Sequence, residues 1–313
     1  MATDTERITD TLPPPATGSA LRAWGELVLL SVRRQAQLRL MVLISLVLVF
    51  LVGVFVFGTA RVRGWGLYRF YDLWRLNQAT NTQLTPESIG VAQAVEGAVT
   101  AIIRHPAMAV LTFSKDVVYT LYLGFLLPLW SLSFATQALG GEREGRAMVW
   151  LLTRPLPRAA IYLAKYVALL PWALGLNLGG FAVLCLAAGE PGRTAFGLYW
   201  GPVVVGTLAF TALFHLLGAT VRRPAVVGLI YAFVLEAFLS DLPFAMKRLS
   251  ISFYTRCLMF DAYRDRYGVA PTDAEVYGAV SPTTAGLTLA GITLGLTALG
   301  MIWFSRAEYG DDV

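Results

Sequence analysis

The sequence predicts an all-α protein that crosses a membrane six times, on three observations. Of its 313 residues 56% are hydrophobic and 14% charged, with a mean hydropathy of +0.60, a balance more apolar than a water-soluble domain of this length needs. The 25 basic and 20 acidic residues are excluded from several long stretches and gathered between them. Those stretches are continuously apolar over about 20 residues, the length a helix needs to cross about 30 Å of hydrocarbon. Barrel strands would instead alternate over about 10 residues, and backbone groups in hydrocarbon must be satisfied internally, so continuous apolar runs have to be helical.

Each element follows in chain order. Residues 1–20, with Pro13, Pro14 and Pro15 among small and polar neighbours, have no apolar period and read as a cytoplasmic tail without regular structure. Residues 21–39 mix Leu21, Trp24, Leu27, Val28 and Leu38 with Arg22, Arg33, Arg34 and Arg39, the pattern of an amphipathic interfacial helix. The transmembrane domain, residues 40–304, holds six spans: Leu40–Phe57, Val117–Leu139, Ile161–Ala188, Phe196–Thr220, Pro224–Leu239 and Thr284–Phe304. The first begins too late and runs too long for a cleavable leader.

Two long connections, residues 58–116 and 240–283, are expected outside the cytoplasm. The second includes Pro243, Phe244, Phe253, Tyr254, Met259, Phe260 and Tyr263, too apolar for a solvated loop and too broken for a span, which predicts a re-entrant or interfacial helix. Orientation comes from arginines in the short connections, Arg143, Arg146, Arg154 and Arg158 after the second span and Arg222 with Arg223 after the fourth. The positive-inside rule puts both loops, both termini and the tail 305–313 in the cytoplasm, for a multi-pass protein of the cytoplasmic (inner) membrane.

Other function classes find little support in the residues. The net charge of +5 and pI near 9.3 come from arginines flanking spans rather than from a lysine-rich block, so no nucleic-acid partner is expected. Cys185 and Cys257 form neither a metal spacing nor a disulfide framework, and no metal site is expected. A polytopic membrane enzyme, the first alternative, would need a clustered acid, base or metal set within the spans. His105 lies outside them and His215 stands alone, with no His-Glu-x-x-His and no Gly-x-Ser-x-Gly, so no catalytic residue is assigned. Asn177, His215 and Glu236 are the polar residues within spans that are candidates for a path through the bundle; hydrogen bonding between helices is the plainer role for the first two. Gly175 with Gly179, Gly197 with Gly201 and Gly291 with Gly295 are spaced to let helices approach closely. Lys165 is expected at the edge of the third span, extended to lipid headgroups.

The loop over residues 140–160 is the most informative text. Gly140 and Gly141 let the second span stop, Glu142 to Leu152 reads as a short helix with Glu142 and Arg146 at an i, i+4 spacing, and Pro155 and Pro157 end it. Met148, Leu151 and Leu152 give that helix an apolar side, and Arg143, Glu144 and Arg146 a charged one. These residues resemble the type-2 family of ATP-binding-cassette (ABC) transporter permeases, whose first cytoplasmic loop reads Glu-x-Glu-x-Gly, Leu-Leu, Arg-Pro, an Arg, and a Lys in the next span. The matching positions are Glu142, Glu144, Leu151, Leu152, Arg154, Pro155, Arg158 and Lys165, with Gly145 one residue early and Arg146 in its usual place.

The resemblance implies that Glu142, Arg143, Glu144, Gly145, Arg146, Leu151, Arg154, Pro155 and Arg158 form a coupling element seated in an ATP-binding subunit. It also implies a second permease copy, as homodimer or heterodimer, and export as the direction. No Gly-x-x-x-x-Gly-Lys-Ser/Thr loop is present, and Lys115, Lys165 and Lys247 lack the preceding glycines. ATP and Mg are therefore expected on the partner, with no cofactor on this chain. The second alternative is a permease-like subunit that passes ATP-driven motion on without carrying a solute.

Overall fold

The computed structural model describes residues 20–35, 39–62, 106–144, 156–236, 245–271 and 277–307. Among them all regular structure is helical. The tails at 1–19 and 308–313 and most of the first long connection lie outside the described residues.

The N-terminal helix α1 spans Ala20–Gln35 and α2 spans Arg39–Val62. Three segments run on without a break to form α3: Pro106–Phe113, a π-helical stretch Ser114–Leu126, and Leu127–Glu144. Arg158–Ala187 is α4 and Glu190–Thr220 is α5. Pro224–Ile230 continues into the π-helical Tyr231–Glu236 to make α6. A 3₁₀ turn at Ala245–Leu249 leads to α7, Ile251–Tyr267, and α8 spans Pro282–Arg306.

Four described helices are long and apolar enough to cross a membrane: Ala107–Leu139, Arg158–Ala187, Glu190–Thr220 and Pro282–Arg306. The first and fifth expected spans coincide with shorter apolar helices, Ser45–Arg61 and Pro224–Phe233. Local chemistry sets the helix ends. Gly189 takes φ +80, the left-handed conformation glycine adopts without penalty, and Pro191 opens α5, so α4 reverses into α5 within two residues. Ser250 caps α7 by accepting from the Phe253 amide at 3.0 Å, Gly268 ends it in the left-handed region, and Ser281 caps α8.

The expected stop at Gly140 and Gly141 is corrected: α3 continues through both glycines to Glu144. Neither takes the positive φ that a glycine C-cap requires, and a helix carries an interior glycine at about 1 kcal/mol.

Within the bundle α5 is central, packing on α3, α4, α7 and α8. Helix α1 runs alongside the first half of α4 in the same direction, joined by Trp24 Nε1 to the Ala160 carbonyl (2.9 Å) and by Trp172 Nε1 to the Val32 carbonyl (3.0 Å). Its Leu27, Ser31 and Gln35 are buried one turn apart, while Arg22, Arg33 and Arg34 are exposed. Helix α7 lies antiparallel to the half of α3 remote from Glu144, with Ser252 Oγ donating to the Leu123 carbonyl (3.3 Å) and Tyr263 OH to the Ala107 carbonyl (2.9 Å). The broken apolar text of the second long connection therefore includes a helix buried against the bundle.

The π-helical stretches of α3 and α6 face each other, with the Phe125 and Phe233 rings 5.0 Å apart. In the first, the Leu127 amide reaches the Tyr122 carbonyl and Thr120 Oγ1 the Lys115 carbonyl, each five residues back. Such i→i+5 segments are rare and gather at functional sites.

The glycine pairs of the sequence reading do not make the close approaches within this chain. Nothing lies within 4 Å of a Cβ built at Gly175, Gly179, Gly197, Gly201, Gly291 or Gly295. The tight crossings use other glycines, Gly180 under Trp130, Gly228 under Leu132 and Gly300 under Tyr162.

Candidate functional site

The loop that carries the sequence motif joins the end of α3 to the start of α4, and that end of the bundle is where chain segments converge. Leu139 of α3, Ile161, Tyr162 and Ala164 of α4, Ala219 of α5, Phe304 of α8 and Leu27 of α1 form one buried cluster. Arg158, the first residue of α4, donates from Nη1 to the carbonyl of Ala307 just past α8 (3.0 Å). Both anchors of the loop, the first helix and the end of the last are thereby at the same end of the molecule. Exposed Arg158, Arg222, Arg223 and Arg306 lie there too.

Of the expected coupling residues, Glu142, Arg143 and Glu144 occupy the last turn of α3, and their side chains lie outside the described residues. Gly145, Arg146, Leu151, Arg154 and Pro155 lie outside them altogether. Arg158 is the one whose side chain is placed, tied to the C-terminal end of α8.

Asn177 and His215 are both completely buried, in different parts of the bundle. Asn177 Nδ2 donates to Ser131 Oγ of α3 (3.2 Å) and to the Ala173 carbonyl of its own helix (2.9 Å), while the Asn177 backbone carbonyl accepts from Tyr122 OH (3.0 Å). His215 Nε2 faces the Tyr162 carbonyl at 3.3 Å, and its ring lies 4.5 Å from that of Tyr162 and 5.9 Å from that of Tyr166. Fifteen positions separate Tyr162 from Asn177 on α4, a rise of about 22 Å, so the two polar residues do not share a site. Glu236 ends the π-helical stretch of α6, and its side chain lies outside the described residues. Among the described residues no three His, Cys, Asp or Glu side chains come together as metal ligands would.

Lys165 corrects its expectation. Its side chain is 5% exposed instead of extended to headgroups, because α1, α3, α5 and α8 all pack on α4.

A second polar group, at the end remote from the loop, was missed by sequence reasoning. Ser114 Oγ donates to the Val110 carbonyl (2.7 Å) and so accepts from Tyr199 OH (3.0 Å), which in turn faces Tyr119 OH (3.4 Å). Phe260 of α7 meets the Tyr119 ring edge-on at 5.3 Å, and Arg256 lies over the Tyr119 and Tyr277 rings at 5.8 and 4.7 Å. Residues so far apart in the sequence carry no local signal of such a contact; buried tyrosines opposite serine within apolar runs are the one hint.

Membrane-length helices gathered at one end around a charged loop define a multi-pass helical membrane protein with a cluster of arginines on that side. Comparison with known proteins carries the assignment further. Residues 96–239 match the family described as ABC-2 family transporter protein, a stretch that takes in α3, the loop, α4, α5 and α6. Over 191 residues, 55% of this chain and 69% of the relative, the sequence is 28% identical to "Probable ABC transporter permease protein NosY" of Pseudomonas aeruginosa. No solved structure matches the chain. The two matches support an ABC-2-type permease, the membrane subunit of an ABC transporter, in agreement with the resemblance read from the loop.

Proposed function

We propose that this chain couples ATP hydrolysis on a separate ATP-binding subunit to export of a substrate across the cytoplasmic (inner) membrane. The loop from Glu142 to Arg158 seats in that subunit, which carries ATP and Mg, and the chain itself is non-catalytic. Two permease copies pair with two ATP-binding subunits, both termini face the cytoplasm, and α2 and α6 complete six crossings.

The observation that carries this reading is the convergence at the loop end. ATP-driven closure shifts a bundle only if an element outside the membrane binds its states differently and is mechanically joined to the helices. A loop whose two anchors are packed against α1, α5 and α8 meets the second requirement. The arginine excess at the same end favours the cytoplasmic side, and the motif residues Glu142, Glu144, Leu151, Leu152, Arg154 and Pro155 supply more chemistry than topology alone demands.

Replacing Glu144 with Ala, or inserting two residues at Gly145, tests the reading in membranes that contain both subunits. The expected result is normal insertion and assembly with ATP hydrolysis uncoupled from movement of the bundle. Movement that still follows ATP as in the parent protein contradicts it.

A further inference from the structure

We propose that the first turn of α4 is the node that passes loop movement to the rest of the bundle, with His215 acting as a positioning residue that locks α5 to that turn. This rests on the reading of the loop as the docking element, and it assigns to a buried histidine a role in coupling rather than in a substrate path.

Three residues of this turn, Arg158, Ala160 and Tyr162, reach three other helices. The Ala160 carbonyl accepts from Trp24 of α1, Arg158 donates to Ala307 at the end of α8, and the Tyr162 ring lies 6.0 Å from Phe304 and directly over Gly300. The Tyr162 carbonyl and ring both meet His215 of α5. Any displacement of Arg158–Tyr162 is therefore felt at once by α1, α5 and α8, and the shared cluster with Leu139 extends it to α3.

Helix contacts made only of methyl groups slide, because dispersion has no direction; a hydrogen bond to a single carbonyl fixes rotation and register. His215 meets that turn from α5, and one turn on Tyr166 OH adds a second α4–α5 bond, donating to the Leu208 carbonyl (3.1 Å). Gly218, one turn past His215, brings the α3 and α5 backbones together there, with the Ala135 carbonyl 3.4 Å from a built Cβ. The α5 segment that carries His215 thus packs against both the helix that enters the loop and the helix that leaves it. A polar side chain completely buried in a membrane bundle is costly unless bonded, and here the bond is to backbone of the element the loop moves.

The test uses the permease assembled with its ATP-binding subunit and two reporter cysteines made separately, Thr153→Cys in the loop and Arg222→Cys at the exposed position two residues past the end of α5. The native Cys185 and Cys257 are buried. Maleimide labelling is compared before and after trapping with ATP and vanadate, in the parent and in two variants. His215→Phe keeps a ring and loses the donor; His215→Gln keeps a donor.

In the parent both reporters are expected to change on trapping. His215→Phe keeps the loop change and loses most of the Arg222→Cys change, by about five-fold or more, the scale of an ordinary coupling free energy; His215→Gln restores it. Equal Arg222→Cys responses in the parent and His215→Phe overturn the inference, as does a parent whose loop responds while Arg222→Cys does not. Should one variant fail to assemble, the other decides: a silent Arg222→Cys in an assembled His215→Gln complex also overturns it. A parent with no bound ATP-binding subunit, or with no loop response, instead overturns the docking reading on which the inference rests.

Discussion

Gly300→Ala is the most informative single substitution in the bundle. A Cβ built at Gly300 collides with the Tyr162 hydroxyl and the ring carbon that bears it, and that side chain is hemmed in, with the His215 ring 4.5 Å and the Phe304 ring 6.0 Å from its own. Helices α4 and α8 must therefore separate, an overpacking cost of about 1–3 kcal/mol. Gly295→Ala on the same helix is the matched control. Nothing lies within 4 Å of its built Cβ, so the only change is the gain of about 0.5–1 kcal/mol from replacing glycine in a helix interior. Both replacements make the same glycine-to-alanine gain, so the two should differ by the overpacking cost alone, about 1–3 kcal/mol, with Gly300→Ala the less stable. Thermal unfolding of the detergent-purified protein, followed by intrinsic tryptophan fluorescence, measures the difference. Equal shifts for the two variants would refute the crossing as described.

Two further outcomes test other parts of the structure. Tyr199→Phe removes the hydroxyl that donates to Ser114 and should destabilise by about 1 kcal/mol, the usual scale of an interhelical hydrogen bond in membranes; Tyr119→Phe, whose contact is longer at 3.4 Å, should cost less, and the reverse order in the same unfolding assay contradicts the assigned donor direction. Burial pushes the Cys257 thiol up from its ordinary value, so its thiolate is scarcer at pH 8 than that of an exposed cysteine and its labelling slower; parity with Ser305→Cys in a timed maleimide reaction would contradict the buried placement of α7.

Hydropathy made α3, α4, α5 and α8 legible, because a run of about 20 apolar residues has one solution in a bilayer. The ends were harder. Gly140 and Gly141 look like a stop, yet only the backbone conformation distinguishes a C-cap from a tolerated interior glycine, and α3 passes through them. The π-helical stretches were illegible, since i→i+4 and i→i+5 bonding leave the same composition. Lys165 was misplaced because the sequence gives its distance from the loop but not the neighbours that cover it. His215 stood out as an ionisable group in an apolar run; its partner Tyr162 lies 53 positions away and nothing local links them. The loop motif carried the family resemblance, and the matched family agrees with that resemblance.

The central claim is that an ATP-binding subunit docks on the α3–α4 loop. Gentle purification of the tagged chain from its native membranes, with identification of what accompanies it in near-equal amount, tests that most directly. The account predicts an ATPase with a phosphate-binding loop, released when Glu142–Arg146 is altered. A chain that carries no ATPase even after crosslinking, or one that keeps it after the loop is altered, would contradict it.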